Sequence, residues 1–209
     1  VIEPNSADTI ITLGDHINRG PNSKGVIEQL LALRERSCLI SLLGNHEEML
    51  LATLEGKGDF RYFLQFGGDE TLVSYGVRDV EDIPAEHLQF IKSCRLIYET
   101  ASHFFVHAYY EPNAPLNQQP WNTLIWASLP EQPQRHCSGK TAIVGHTAQE
   151  YGSILDLGFL KCIDTFCHGG GWLTALEIKS GQCWQADLAG RVRSRVSLPS
   201  AKEIEARRR

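Results

Sequence analysis

A chain of 209 residues with 42% apolar side chains is long enough to bury the core of one α/β domain. Its net charge of −5 excludes a generic nucleic-acid binder, which is basic as a rule. Six scattered cysteines (38, 94, 137, 162, 167 and 183), none in a CxxC pair and several inside apolar runs, argue for reduced thiols in a cytoplasmic protein and against a disulfide framework. No stretch reaches the roughly 18 apolar residues of a membrane span, and no signal-peptide pattern is visible.

In chain order, the first informative stretch is Ile10-Ile11-Thr12-Leu13, an apolar run that ends in Gly14-Asp15. That is the pattern of a central strand whose carboxyl end carries a site. Asp15 at the tip can hold a cation. Arg19 can point a fork of donors at an anion. Pro21 to Arg36 reads as a helix with a stripe of Val26, Ile27, Leu30, Leu31 and Leu33. A second apolar run, Cys38 to Leu43, ends in Gly44-Asn45-His46-Glu47. The gap from Asp15 to Asn45 is 45 − 15 = 30 residues, enough for a crossover helix between parallel neighbours. A helix starting near His46 would turn its N-terminus toward bound phosphate.

Residues 57–94 read either as a short helical cap or as a segment whose aromatics fill a satellite core; within it Lys57 to Gly76 is less regular and Pro84 to Ser93 is helical, with Leu88 and Ile91 inward. Arg95 to Glu99 and His103 to His107 read as a hairpin, and His107 becomes the third tip residue. Tyr109 to Pro120 is a polar, proline-bearing loop. Trp121 to Leu129 reads as a short helix. Thr141 to Val144 ends in Gly145-His146-Thr147, a fourth tip. Leu157 to Asp164, Leu173 to Ile178 and Cys183 to Ala186 read as strands, and Pro199 to Arg209 as a charged surface helix or tail.

The stretch Gly14-Asp15-His16-Ile17-Asn18-Arg19-Gly20 is similar to the GDxxDRG motif of the dinuclear-metal phosphoprotein phosphatases. Gly44-Asn45-His46-Glu47 matches their GNHE motif. Val106-His107-Ala108, Gly145-His146-Thr147, and Asp164-Thr165 followed by Gly169-Gly170-Gly171-Trp172 resemble later blocks of the bacterial and phage-type branch, in order. The resemblance covers roughly residues 9 to 178 and places the chain among calcineurin-like metallophosphoesterases of the serine/threonine protein phosphatase family. The family's opening GDxH block has no counterpart. By the resemblance, about thirty residues, one strand-helix unit, are expected to precede Val1.

The resemblance implies a single metallophosphoesterase domain over 1–209: an α-β-β-α sandwich of two mixed sheets with helices outside and a small helical cap. It implies two divalent metal ions, with Asp15 bridging them and Asn45, His107 and His146 completing the second site; the first site's remaining Asp and His belong to the opening block, so that site is expected to be incomplete in this chain. Such a pair clamps phosphoryl oxygens and lowers the pKa of a bridging water. The mixed carboxylate, amide and imidazole donors suit Mn, Fe or Zn, with Mn favoured. His46 corresponds to the general acid and Arg19 to the first phosphate-binding arginine, while Asp164 is expected to support a ligand histidine.

The sequence departs from the family at Asn18, where the carboxylate that holds the acid histidine is expected. An amide can still accept a hydrogen bond from imidazole but brings no charge, so His46 is expected to be a weaker acid. The second phosphate arginine has no secure counterpart: Ile125 stands near its place, and Arg135 is a poor substitute. Singly, Asp15 reads as a turn residue, His46 as a cap, and His107 or His146 as a core imidazole. Their shared position at strand ends reverses that reading. His16 and His168 are read as surface residues, and His87, His103 and His136 as structural or solvated. The expected activity is hydrolysis of phosphoserine or phosphothreonine in proteins, or of a small phosphoester. A dinucleoside polyphosphate hydrolase and a degenerate, non-catalytic phosphate- or metal-binding homologue are the alternatives. Neither nucleic acid nor a membrane is an expected partner.

Overall fold

The computed structural model describes residues 3–150 and 152–195, and the expected charged tail lies outside them. The chain packs as two compact units that divide between Tyr98 and Glu99. In the first unit, β1 (Thr9–Thr12) pairs in parallel with β2 (Cys38–Ser41), Ile11 opposite Ile40. The crossover between them carries α1 (Ser23–Arg34). Asn22 caps that helix by accepting the Gly25 N–H at 3.1 Å. Val26 and Ile27 both belong to the apolar stripe but sit 100° apart on the helix. Ile27 is fully buried, whereas Val26 is 40% exposed.

Beyond β2, Leu42 is fully buried and α2 (Asn45–Leu54) begins at once, with Met49 and Leu50 in the core. The cap-like stretch is helical: α3 (Phe60–Phe63), a π-helical turn over Leu64–Gly68, α4 (Asp69–Tyr75) and α5 (Ala85–Lys92). α4 and α5 pack on α1, and α3 on α2. Phe63 is the aromatic that fills this core, seated so close to Gly68 that a Cβ there would lie 2.4 Å from its ring. In α5, Phe90 and Ile91 are buried and Leu88 is half-buried.

A five-stranded mixed sheet, four of whose strands belong to the second unit, has the order β3 (Ile97–Glu99), β4 (His103–Val106), β5 (Thr141–Val144), β7 (Leu160–Cys162), β6 (Leu155–Asp156). β4, β5 and β7 run parallel, and β6 is antiparallel. The strand expected over 157–164 is therefore half of a hairpin, because Gly158 turns the chain at φ 80° while its N–H is held by Asp156. Phe104, Val106, Ala142, Val144 and Leu160 are fully buried, as strands covered on both faces require. The helix α6 (Trp121–Trp126) buries Leu124 and Ile125. A three-stranded antiparallel sheet follows: β8 (Leu173–Leu176), β9 (Cys183–Ala186) and β10 (Val192–Arg195), with β9 central. The chain has the mixed α/β class read from its residues. No described helix is long and apolar enough to cross a membrane.

Candidate active site

The candidate residues fall into two groups, one in each unit. In the first, β1 runs into a loop where Gly14, Asp15, Asn18 and Arg19 all have positive φ (94°, 57°, 69° and 58°). Three left-handed non-glycine residues within five positions are a strained arrangement that needs outside support. Glu47 supplies it. Its carboxylate is fully buried and accepts N–H bonds from Asp15 (2.8 Å), His16 (2.6 Å), Ile17 (3.3 Å) and Gly44 (2.9 Å). The Gly44 bond is the reach-back of a capping box at the start of α2. The other three tie the loop after β1 to that helix. Charge-assisted bonds of this number offset the burial of the carboxylate. Gly44 has no alternative: a Cβ there would lie 2.3 Å from Asp15 Oδ1 and 2.8 Å from Glu47 Oε2.

Asp15 and His46 meet beside this staple. The His46 N–H approaches Asp15 Oδ1 at 3.4 Å, and Nε2 lies 4.0 Å from Asp15 Oδ2. About 30% of the Asp15 side chain stays open. Burial, then the Glu47 charge, push its pKa up to about 8, against smaller opposing effects of the His46 N–H, His16 and Arg19. A carboxylate placed where its charge is disfavoured has a reason to take up a cation. Asn45 is buried at the same helix start.

Asn18 is buried, with Nδ2 at 2.9 Å from His46 Nδ1. The amide therefore presents its nitrogen, not its oxygen, to the imidazole, a reversal of the expected acceptor role. The oxygen accepts the Thr71 hydroxyl at 2.7 Å. Arg19 is exposed, and its backbone packs so tightly under Gly67 that a Cβ there would lie 2.4 Å from its nitrogen. His16 is not a surface residue: its side chain is 6% exposed, with Nε2 on Thr12 Oγ1 at 2.8 Å and Nδ1 3.4 Å from Glu47 Oε1.

In the second unit, His107 and His146 follow the carboxyl ends of the parallel neighbours β4 and β5. Their backbones are joined by Gly145 N–H donating to His107 C=O at 2.8 Å. His146 also has positive φ, 61°. Its Nδ1 faces His107 Nε2 at 3.2 Å, and His107 is 2% exposed. Two ring nitrogens opposed at that distance can share one proton or meet one cation, which is how imidazole ligands are presented to a divalent metal. Asp164 Oδ1 accepts the Phe166 N–H at 3.0 Å and so holds the left-handed turn at Phe166. The glycines after it are packing requirements: a Cβ on Gly171 would lie 2.1 Å from the Thr165 oxygen. Ile125 is a core residue, and Arg135 lies over the Phe159 ring at 5.4 Å. His168 is exposed, whereas His87 and His136 are buried and hydrogen-bonded to Tyr75 and Ser138.

Sequence reasoning did not single out Glu47 or Thr71 as site residues. Glu47 left a signal, an acidic residue three places after the helix-capping glycine. Thr71, 53 residues from Asn18, left none.

Comparison with known proteins gives consistent matches. The family model for calcineurin-like phosphoesterases matches residues 1–172. A symmetrical bis(5'-nucleosyl)-tetraphosphatase of Dechloromonas aromatica (strain RCB) is 30% identical over 105 residues, 49% of this chain. The match spans only about a third of that relative, 34%. A cold-active protein-tyrosine phosphatase from a psychrophilic Shewanella shares the fold at TM-score 0.63 and 16% identity, over 92% of this chain and 70% of that one. A solved structure provisionally named a diadenosine tetraphosphatase does so at TM-score 0.58 and 19% identity, over 92% and 82%.

Two outcomes follow from this geometry. Glu47→Gln puts an NH2 against backbone N–H groups and is expected to cost about 3 kcal/mol in urea unfolding; a loss under about 0.5 kcal/mol would remove the staple from the account. An acid whose folded pKa lies above its unfolded one (~3.9 for Asp) binds its proton more tightly when folded, so stability falls as pH rises between the two. Metal-free protein should therefore lose the Asp15 contribution as pH rises from the carboxylate range through about 8. Saturating Zn2+ should flatten that slope in melts recorded across the same range.

Proposed function

The chain belongs to the calcineurin-like phosphoesterase family, and from that premise we propose that it hydrolyses phosphate esters at a divalent-metal site formed by Asp15, Asn45, His107 and His146. Asp15 would bring a carboxylate oxygen, His107 and His146 one imidazole nitrogen each, and Asn45 an amide carbonyl. The reading rests above all on the two imidazole nitrogens opposed at 3.2 Å on adjacent parallel strand ends. Two divalent ions, with Mn favoured, would supply Lewis-acid charge for the phosphoryl oxygens and a more acidic water.

The chain's own residues do the rest. Glu47 fixes the loop that carries Asp15 and Arg19. Arg19 binds a phosphoryl oxygen through its guanidinium. His46, held through Nδ1 by Asn18, turns Nε2 toward the oxygen that leaves with the alcohol. The nominal substrate is phosphoserine or phosphothreonine of a protein, the class the GDxxDRG-like and GNHE blocks imply. A dinucleoside polyphosphate is the second reading, favoured by the Dechloromonas relative. A non-catalytic phosphate- or metal-binding role is the third, and Asn18 is what favours it.

With Mn2+ the protein should turn over p-nitrophenyl phosphate and stop when chelator is added. His107→Ala and His146→Ala should each lower kcat/KM by at least about 100-fold. Absence of turnover with Mn2+, Fe2+ and Zn2+ alike would leave the non-catalytic reading. Release of phosphate from a phosphothreonine peptide, set against cleavage of diadenosine tetraphosphate, separates the two substrate classes.

A further inference from the structure

We infer that Thr71, on α4, is a positioning residue that sets His46 as a neutral Nε2–H hydrogen-bond donor toward the leaving oxygen. The inference rests on the phosphoesterase reading and deepens it. Thr71 and His46 are buried at 0% and 2% exposure, so water does not compete for their bonds. An amide side chain has one accepting end and one donating end, and whichever end faces an imidazole decides which ring nitrogen carries the proton. Here the hydroxyls decide it. Thr71 Oγ1 accepts the Asn18 backbone N–H at 2.9 Å and lies 2.7 Å from Asn18 Oδ1 but 3.1 Å from Ser23 Oγ.

Its single proton therefore goes to Asn18 Oδ1, and Ser23, which also takes the Asn18 N–H at 3.2 Å, donates its own to Thr71. Both hydroxyl protons and the Asn18 N–H then have an acceptor. Asn18 Nδ2–H is left to donate to His46 Nδ1 at 2.9 Å. A nitrogen that accepts carries no proton, so the imidazole proton sits on Nε2, the atom turned to Asp15 Oδ2. The same two hydroxyls hold the strained Asn18 backbone at φ 69°. A neutral imidazole stabilises developing charge by hydrogen bonding rather than by giving up its proton. The proton that ends on the alcohol then comes from solvent water.

The test uses the Mn2+-loaded protein and two esters, p-nitrophenyl phosphate, whose phenolate leaves unaided, and an alkyl phosphate, whose alkoxide does not. Thr71→Val should lower kcat/KM for the alkyl ester about 10-fold or more while changing p-nitrophenyl phosphate less than about twofold, and Thr71→Ser should restore the wild-type ratio. In 15N spectra of the Zn2+-loaded wild type, which is diamagnetic, His46 should show an unprotonated Nδ1 and a protonated Nε2. In Thr71→Val that preference should weaken. A protonated Nδ1 in the wild type, or equal slowing of both esters by Thr71→Val, overturns the inference. Wild-type protein that cleaves neither ester overturns the phosphoesterase reading instead, and the spectra still judge Thr71.

Discussion

The arrangement depends on one buried carboxylate. Glu47 gathers N–H groups from Asp15, His16, Ile17 and Gly44, so the loop after β1 and the start of α2 behave as one piece. A buried anion is costly unless its lone pairs are filled, and here four backbone donors fill them. The same charge stands beside Asp15 and works against a second carboxylate there. Glu47 thus fixes where Asp15 points and, after burial, adds to what disfavours an uncompensated charge there.

Backbone strain collects at the same residues. Among the described residues, five other than glycine have positive φ, and four of them, Asp15, Asn18, Arg19 and His146, are residues the sequence marks for chemistry. Such conformations cost on the order of 1–3 kcal/mol each and persist where neighbours over-determine them. The supports are visible: Glu47 for Asp15, the Thr71 and Ser23 hydroxyls for Asn18, the close approach of Gly67 for Arg19. Thr71 and Gly67, both inside the 57–94 segment, thus brace the first motif.

What the sequence discloses is what repeats locally. Apolar runs ending in a polar residue located the ends of β1, β2, β4 and β5, because the carboxyl end of a parallel strand is where polar groups can gather. The capping pattern located α1. Partners far apart in the chain were not legible. Periodicity says nothing of Thr71 reaching Asn18, or of which end of an amide faces His46. His16 reads as a surface residue because it matches no ligand position of the motif, yet its side chain is buried against Glu47 and Thr12. Val26 and Ile27 were equivalent by spacing, and tertiary packing chose between them.

The account stands or falls on whether Asp15, Asn45, His107 and His146 bind one metal ion. Anomalous diffraction from crystals soaked in Mn2+ tests this directly. The account predicts a manganese peak bonded to one oxygen each of Asp15 and Asn45 and one ring nitrogen each of His107 and His146. A peak held by other residues, or no peak at saturating Mn2+, would contradict it.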